Sequence, residues 1–339
     1  PSCRQCSSHR TLIARRPLLN RARSVRASDS EAATRRAANM LVPARRSRAA
    51  PGEGSISLVF ESSEDGGASP FLWSEATQCF CCYPMKVFLP REAGRPHCRW
   101  VYPVVFGGGL VSGDSVRVDV TAGPSTCILL TSQSFPKVYR CRAAGEASVQ
   151  RCTYTVADGA MLCVLPDVTV CFADARLRQT QEAQLSASAN IVLLDWYLAG
   201  RVANGERWQL ARLSSTVSVR VAGELVLREA VDMAAVTDLS LEQSMGGYDV
   251  TGIIVLLGPS LEQLAGNVCA QLESREQYGV EPGRSFVAAC SALRSEQGKL
   301  TGCVVRILST SSQEAYSKLE ELLQPLFPVI GGNPFSLKY

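Results

Sequence analysis

The chain has 339 residues, 46% hydrophobic and 19% charged, enough for one large domain or two modest ones with a real core. No apolar run reaches the ~18 residues of a membrane-spanning helix, so no span is expected. The formal net charge of +4 is unevenly spread: residues 1–50 hold twelve arginines against Asp29 and Glu31, a balance of +10, which leaves −6 for the rest and argues against nucleic acid as the partner of the body.

Residues 1–54 are rich in Arg, Ser and Ala and poor in acids and aromatics. Such a segment buries too little apolar surface to fold alone, so a disordered arm is expected. Its composition matches an organelle transit peptide, or an extension ahead of the true start with Met40 as an internal candidate; RNA binding by the arm is a third reading. It contains no secretory apolar core. The chain carries 14 cysteines, most of them inside apolar stretches, where a reduced thiol acts as a small hydrophobe. A reducing compartment is therefore expected, cytoplasmic or, if the arm is a real targeting segment, organellar.

From residue 55 the chain reads mostly as strand. Ile56, Leu58 and Phe60 alternate before an acidic loop at 61–69, and 79–89 and 100–106 carry aromatic and β-branched residues. The glycine run Gly107, Gly108, Gly109 and then Gly113 with Asp114 leads into Val116, Val118 and Val120 alternating with Arg117 and Asp119. Gly123-Pro124 then turns the chain into the apolar stretch 127–130, so a hairpin is expected that ends on Lys137, Tyr139 and Arg140. Further strands are expected over 147–156, 161–165, 168–172, 175–185 and 190–198. Their spacing of about ten residues argues for an all-β sandwich, barrel or solenoid.

Near Asp249 the texture changes. The run 252–257 reads GIIVLL, and Ser260 is placed to cap a helix with Leu261, Leu264, Val268 and Leu272 on one face. Strands at 285–293 and 300–308 precede a last helix opened by Ser311 and Glu314 as a capping box, with Tyr316, Leu319, Leu322, Leu323 and Leu326 inward. The division expected is a β-rich body over 55–245, a β-α-β-β-α portion over 246–330 and a loose tail at 331–339.

Several groups could carry chemistry. Successive amides of the glycine loop can make an anion nest. A phosphate loop, however, needs a Lys after its last glycine and a helix behind it, and here a strand follows, so a close approach by another backbone is the better reading. Asp114 is placed to pin this turn through its own backbone. Ser112 lies in a run that resembles a nucleophile elbow, but His97 is the one histidine of the body. Asp195 interrupts an apolar strand and needs a partner; Arg201 is the local choice, with Glu206 nearby. Cys79, Cys81, Cys82, His97 and Cys98 could be imagined as a metal site, but the spacing is not that of paired Cys-x-x-Cys ligands, and no tight metal site is expected.

Four stretches then occur in one order: GGGLVSGDS, TSQSFPKVYR, LPDVTVCFADARLRQ and LLDWYLAGRVANGE. Together with the earlier YPMKVFLP and WVYPVVFGGG and the later KLTGCVVRIL, they resemble the urease accessory protein D family, in particular its plant and algal branch, over about residues 55–330. The chain departs from many bacterial members in the loop entry, which reads Gly107-Gly108-Gly109 where these have a Pro-Pro-Gly-Gly type entry, at Ser132, where a second threonine is common, and at Asp195, often Glu.

The resemblance implies a mainly β, solenoid-like stack of sheets with a few helices. It implies a scaffold and no catalyst, with no cofactor of its own. The implied partners are apo-urease and accessory proteins F and G, the last a GTPase, with Ni²⁺ passing in transit to the urease active site. A polar passage for nickel or CO₂ is implied inside the protein, for which Asp114, Asp195 and Glu206 are the first candidates. Lys137, Tyr139 and Arg201 are candidates for shaping that passage or the docking face. The alternative from another class is a β-solenoid hydrolase or a generic β-rich binding module. The hydrolase would draw on Asp114, Asp119, Asp158, Asp167 and Asp174, two of which would have to meet at one cleft.

Overall fold

The computed structural model describes residues 53–63, 71–90, 94–141, 146–235, 239–273, 285–295 and 298–336. The expected disordered arm, residues 1–54, lies outside them except for Glu53 and Gly54, and so does most of the acidic loop.

The strands are, in order, β1 (Gly54–Ser63), β2 (Trp73–Cys82), β3 (Met85–Phe88), β4 (Gly94–Arg95), β5 (Cys98–Val105), β6 (Ser115–Ala122), β7 (Cys127–Leu130), β8 (Lys137–Val138) and β9 (Ser148–Val156). They continue with β10 (Met161–Val164), β11 (Thr169–Cys171), β12 (Arg176–Leu185), β13 (Asn190–Leu198), β14 (Arg212–Val221), β15 (Glu224–Met233), β16 (Val250–Leu257), β17 (Phe286–Arg294) and β18 (Leu300–Ser309). Two longer helices follow β16 and β18: α1 (Glu262–Glu273) and α2 (Ser312–Leu323).

The strands form two stacked sheets, ordered β15-β14-β12-β9-β6-β1-β2 and β17-β18-β16-β13-β10-β7-β5-β3. The chain alternates between them. β6, β9, β12 and β14 are parallel neighbours in the first sheet, and β5, β7, β10 and β13 are parallel neighbours in the second. The short parallel pair β8 and β11 branches from the second sheet, with β11 paired to the end of β13. Each circuit lays its strands beside those of the circuit before, which is the geometry of a β-solenoid. The expectation of a mainly β, solenoid-like stack is met.

Two burial patterns explain the layering. β6 and β12 alternate, with Val116, Val118, Val120, Leu177, Ala183 and Leu185 turned into the space between the sheets. The second sheet is covered on both faces, so β7 (CILL) and β13 (NIVLLDWYL) are apolar almost throughout. Ile128, Leu130, Ile191 and Leu193 meet the first sheet, while Leu129, Val192, Leu194 and Trp196 meet the helices. Asp195 breaks the run, on the face toward the first sheet.

Four expectations need correction. β6 and β7 are no hairpin: the Gly123-Pro124 turn carries the chain from the first sheet to the second, because a strand with two apolar faces must lie in the doubly covered layer. The run 79–89 is the end of β2, a turn at Tyr83-Pro84, and β3. Ser260 does not cap α1; a 3-10 turn begins at Pro259, and the Ser260 amide donates to the Asn190 side chain at 2.8 Å. Residues 331–336 of the tail are packed, since Phe335 is buried against Trp196 and Tyr316.

The last part adds to the second sheet. β16 pairs antiparallel with β13, β18 with β16 and β17 with β18. α2 is capped by Ser311, whose hydroxyl accepts from the Glu314 amide at 3.2 Å. Its residues Ala315, Leu319, Leu322 and Leu323 are buried in the layer shared with Trp196, whereas Tyr316 is only half-buried.

Candidate functional site: a buried carboxylate between the sheets and an aromatic-cationic rim

Between the sheets lies a cavity of about 180 Å³. Polar side chains reach it from both sides: Gln150, Tyr154, Gln179 and Gln181 from the first sheet, and Asp195 from the second. Its outer wall is formed by Thr131–Lys137 together with Gly108 and Gly109.

Asp195 is the centre of this seam. Gln179 Nε2 and Tyr197 Oη donate to its Oδ1 at 2.8 and 2.9 Å, and Ser215 Oγ donates to Oδ2 at 2.8 Å. Alongside, the Tyr154 hydroxyl donates to Gln181 Oε1 at 3.2 Å. Burial pushes the Asp195 carboxyl above its ordinary range, and the three donated hydrogen bonds oppose that shift without cancelling it. The expected partner was Arg201, but Arg201 pairs with Glu206, and Asp195 is satisfied by neutral donors. Reach decides this: Asp195 points into the stack, whereas Arg201 lies beyond the end of β13 and is exposed.

A second group forms around β8 and β11. Arg201 Nε donates to Glu206 Oε2 at 2.9 Å, and the Arg201 guanidinium lies 4.4 Å from the Phe172 ring centre. Tyr139 meets the same ring edge-on at 5.2 Å. The Arg201 bond draws the Glu206 carboxyl below its ordinary range, helped by the Ala173 amide. Beside this group runs a groove of about 520 Å³ lined by Phe135, Lys137, Phe172, Arg201 and Asp249, among others. Phe135 and Lys137 belong to the walls of both the groove and the interior cavity.

The glycine loop is knitted to this rim. Leu110 exchanges backbone bonds with Lys137 and Tyr139, and the Tyr139 hydroxyl donates to the Gly107 carbonyl at 3.0 Å. A Cβ on Gly109 would fall 2.5 Å from the Lys137 carbonyl oxygen, so glycine is required there by the close approach of another backbone. Gly107 differs: open space surrounds it, but its φ is +82°. Gly107→Ala is expected to cost about 1–2 kcal/mol for the left-handed backbone and leave the rim intact. Gly109→Ala is expected to cost more and to expose the loop; urea denaturation with limited proteolysis between residues 107 and 140 separates the two.

Among the candidate residues, then, Tyr139, Arg201 and Glu206 gather at the rim, Lys137 joins rim and cavity, and Asp195 lies inside. Asp114 lines neither space: its carboxylate accepts from the Val111 amide at 2.9 Å and holds the turn that includes Gly113. The five acids of the hydrolase reading are each engaged separately. Asp119 pairs with Arg117, Asp158 accepts from Ser188, Asp174 faces Arg140, and Asp167 accepts from Ser132 and Tyr316. Gln179, Gln181, Tyr154 and Ser215 were missed by the sequence reading. Period-two alternation through Leu177, Ala183 and Leu185 places both glutamines on the inward face, and that signal could have found them.

Comparison with known proteins bears on this arrangement. The model of the UreD urease accessory protein family matches residues 52–338. Urease accessory protein D of Arabidopsis thaliana is 33% identical over 284 residues, covering 78% of this chain and 95% of that protein. The rice protein of the same name (Oryza sativa subsp. indica) is 28% identical over 283 residues, covering 77% of this chain and 91% of the rice protein. Urease accessory protein UreD of Anaeromyxobacter sp. (strain Fw109-5) is 31% identical over 263 residues, covering 78% of this chain and 84% of its own length. A match across the solenoid, the C-terminal strands and both helices means that this chain belongs to the urease accessory protein D family.

Proposed function

We propose that the chain is a non-catalytic scaffold of urease maturation: it holds apo-urease with accessory proteins F and G and assists the passage of Ni²⁺ to the urease active site. The observation that carries this reading is the match to the family over residues 52–338. The polar cavity around Asp195 supports the passage. A divalent cation moving between sheets needs oxygen donors, and Asp195, Gln179, Gln181 and Tyr154, which line the cavity, provide them where apolar side chains would offer none. Burial favours the neutral carboxyl of Asp195 while the cavity holds no cation; a cation beside it reverses that preference and draws the proton off.

The rim fits the docking role. Tyr139, Phe172 and Arg201 present aromatic and guanidinium surface beside an open groove, the residue types enriched at protein interfaces. The cysteines fit a reducing compartment, the cytoplasm, or an organelle if residues 1–54 are a targeting segment.

The test is co-purification of the full chain with urease apoprotein and accessory protein F. A ternary complex is expected, with urease activation by Ni²⁺ dependent on this chain. A monomer that binds neither protein would sink the scaffold reading. An Arg201→Ala, Tyr139→Ala double substitution is expected to weaken complex formation about tenfold or more, read by pull-down or light scattering.

A further inference from the structure

Away from the cavity, three cysteines of the C-terminal part converge. Cys269 is on the inner face of α1, Cys290 on β17 and Cys303 on β18. β17 and β18 pair antiparallel with Ala292 opposite Cys303, which places Cys290 two positions along on the same face, under α1. The three sulfur atoms all lie within 4.8 Å of one another, and Cys269 Sγ and Cys290 Sγ are 2.6 Å apart. Cys269 and Cys303 are buried, while Cys290 is half-buried.

We propose that Cys269, Cys290 and Cys303 are a three-thiolate site for one thiophilic cation of the Zn²⁺ or Cu⁺ class. Among the described residues the cluster holds three soft donors and neither imidazole nor a converging carboxylate, a set that selects such an ion over a hard one. With metal–sulfur bonds of about 2.3 Å, sulfurs around one ion lie roughly 3.8–4.0 Å apart. All three sulfurs lie within 4.8 Å of one another, and rotation of the Cys269 and Cys290 side chains opens their 2.6 Å contact to that spacing. Cys290 is the least buried of the three, half-buried where the others are buried, so the ion enters from its side, and water can complete the coordination of Zn²⁺.

The proton balance follows from the surroundings. Burial and close mutual contact disfavour the thiolate forms at Cys269 and Cys303. The free site therefore holds its protons. Binding of Zn²⁺ by three thiols releases three protons to solvent, leaving one net negative charge, so affinity must rise with pH. The site is independent of the scaffold reading, since it uses no residue of the cavity or the rim.

The experiment titrates the reduced full chain, without oxygen, with Zn²⁺ against a chromophoric chelator and, in a second arm, with Cu⁺ against a Cu⁺ chelator. Uptake of one equivalent in either arm, strengthening with pH, is expected, and the arm that responds at lower free metal identifies the ion. Cys290→Ala is expected to lower affinity by about tenfold or more, whereas a Cys79→Ala, Cys81→Ala control is not. Should the Cys290 variant fail to fold, alkylation of the wild type read by mass spectrometry replaces it: bound metal protects Cys269, Cys290 and Cys303 together. No uptake, uptake indifferent to Cys290, absent protection, or a Cys269–Cys290 disulfide formed in place of metal binding would each overturn the assignment.

Discussion

Asp195→Ala is expected to lower unfolding free energy by ~2–5 kcal/mol, measured by urea denaturation, because the side chains of Gln179, Tyr197 and Ser215 lose their shared acceptor inside the stack. Asp195→Asn separates function from folding. It keeps the shape and one acceptor oxygen but turns an amide toward donors, so a net change within ~1–2 kcal/mol is expected. If Asp195 serves passage, the asparagine variant folds, binds its partners and still slows urease activation by about tenfold or more. Unchanged nickel content in urease matured with this variant would remove Asp195 from the passage.

The pH dependence provides an independent readout. The folded Asp195 carboxyl titrates above its ordinary value, so in the window between the unfolded and folded values the native state holds a proton that the unfolded state has lost. The stability contributed by this group is full below the unfolded value and is lost as pH rises through the folded one. The asparagine variant has no such slope. Wild type should therefore lose ground to the variant as pH is raised from about 4 toward neutral. A difference that stays flat, or grows in favour of wild type, would show that the three donors outweigh burial.

Trp196→Ala is expected to cost ~3–5 kcal/mol. The ring is buried, its Nε1–H donates to the Pro166 carbonyl at 3.0 Å, and its centre lies 4.7 Å from Tyr316 and 6.4 Å from Phe335. It therefore joins three things: the central strand β13, helix α2 and the tail. Beyond the fall in stability, residues 331–336 should become cleavable by protease under conditions in which the wild type resists. A variant that loses stability but keeps the tail protected would mean that Trp100, whose Nε1–H donates to the Ile330 carbonyl, holds the tail without Trp196.

The same residues show where local sequence stops being informative. Alternation in β6 and β12 announces one buried face, and unbroken apolar residues in β7 and β13 announce two. Neither pattern names the neighbour. β6 and β7, five residues apart, look like a hairpin, yet Ser115 pairs with Val149 and Cys127 with Met161, each a full circuit away. Asp195 announces that it needs a partner, but Arg201, six residues on, is drawn to Glu206, and the actual donors come from β12, β14 and Tyr197. The glycine run leads to a correct inference at Gly109, because the need for close backbone approach depends on glycine itself. Cys290 and Cys303 look like ordinary strand thiols until β17 and β18 pair and α1 brings Cys269 over them.

What the sequence determined by itself, then, is the kind of layer each segment belongs to, the two C-terminal helices and, through four motifs in order, the family. Burial periodicity and turn chemistry are local, so they survive in the linear text. What the tertiary structure alone decided is which side chains meet: Asp195 with Gln179 and Ser215, Tyr139 with Phe172 and Arg201, and the three C-terminal thiols. In a solenoid each strand finds its partners one circuit away, and no local pattern records how the loops between circuits bring particular side chains into register.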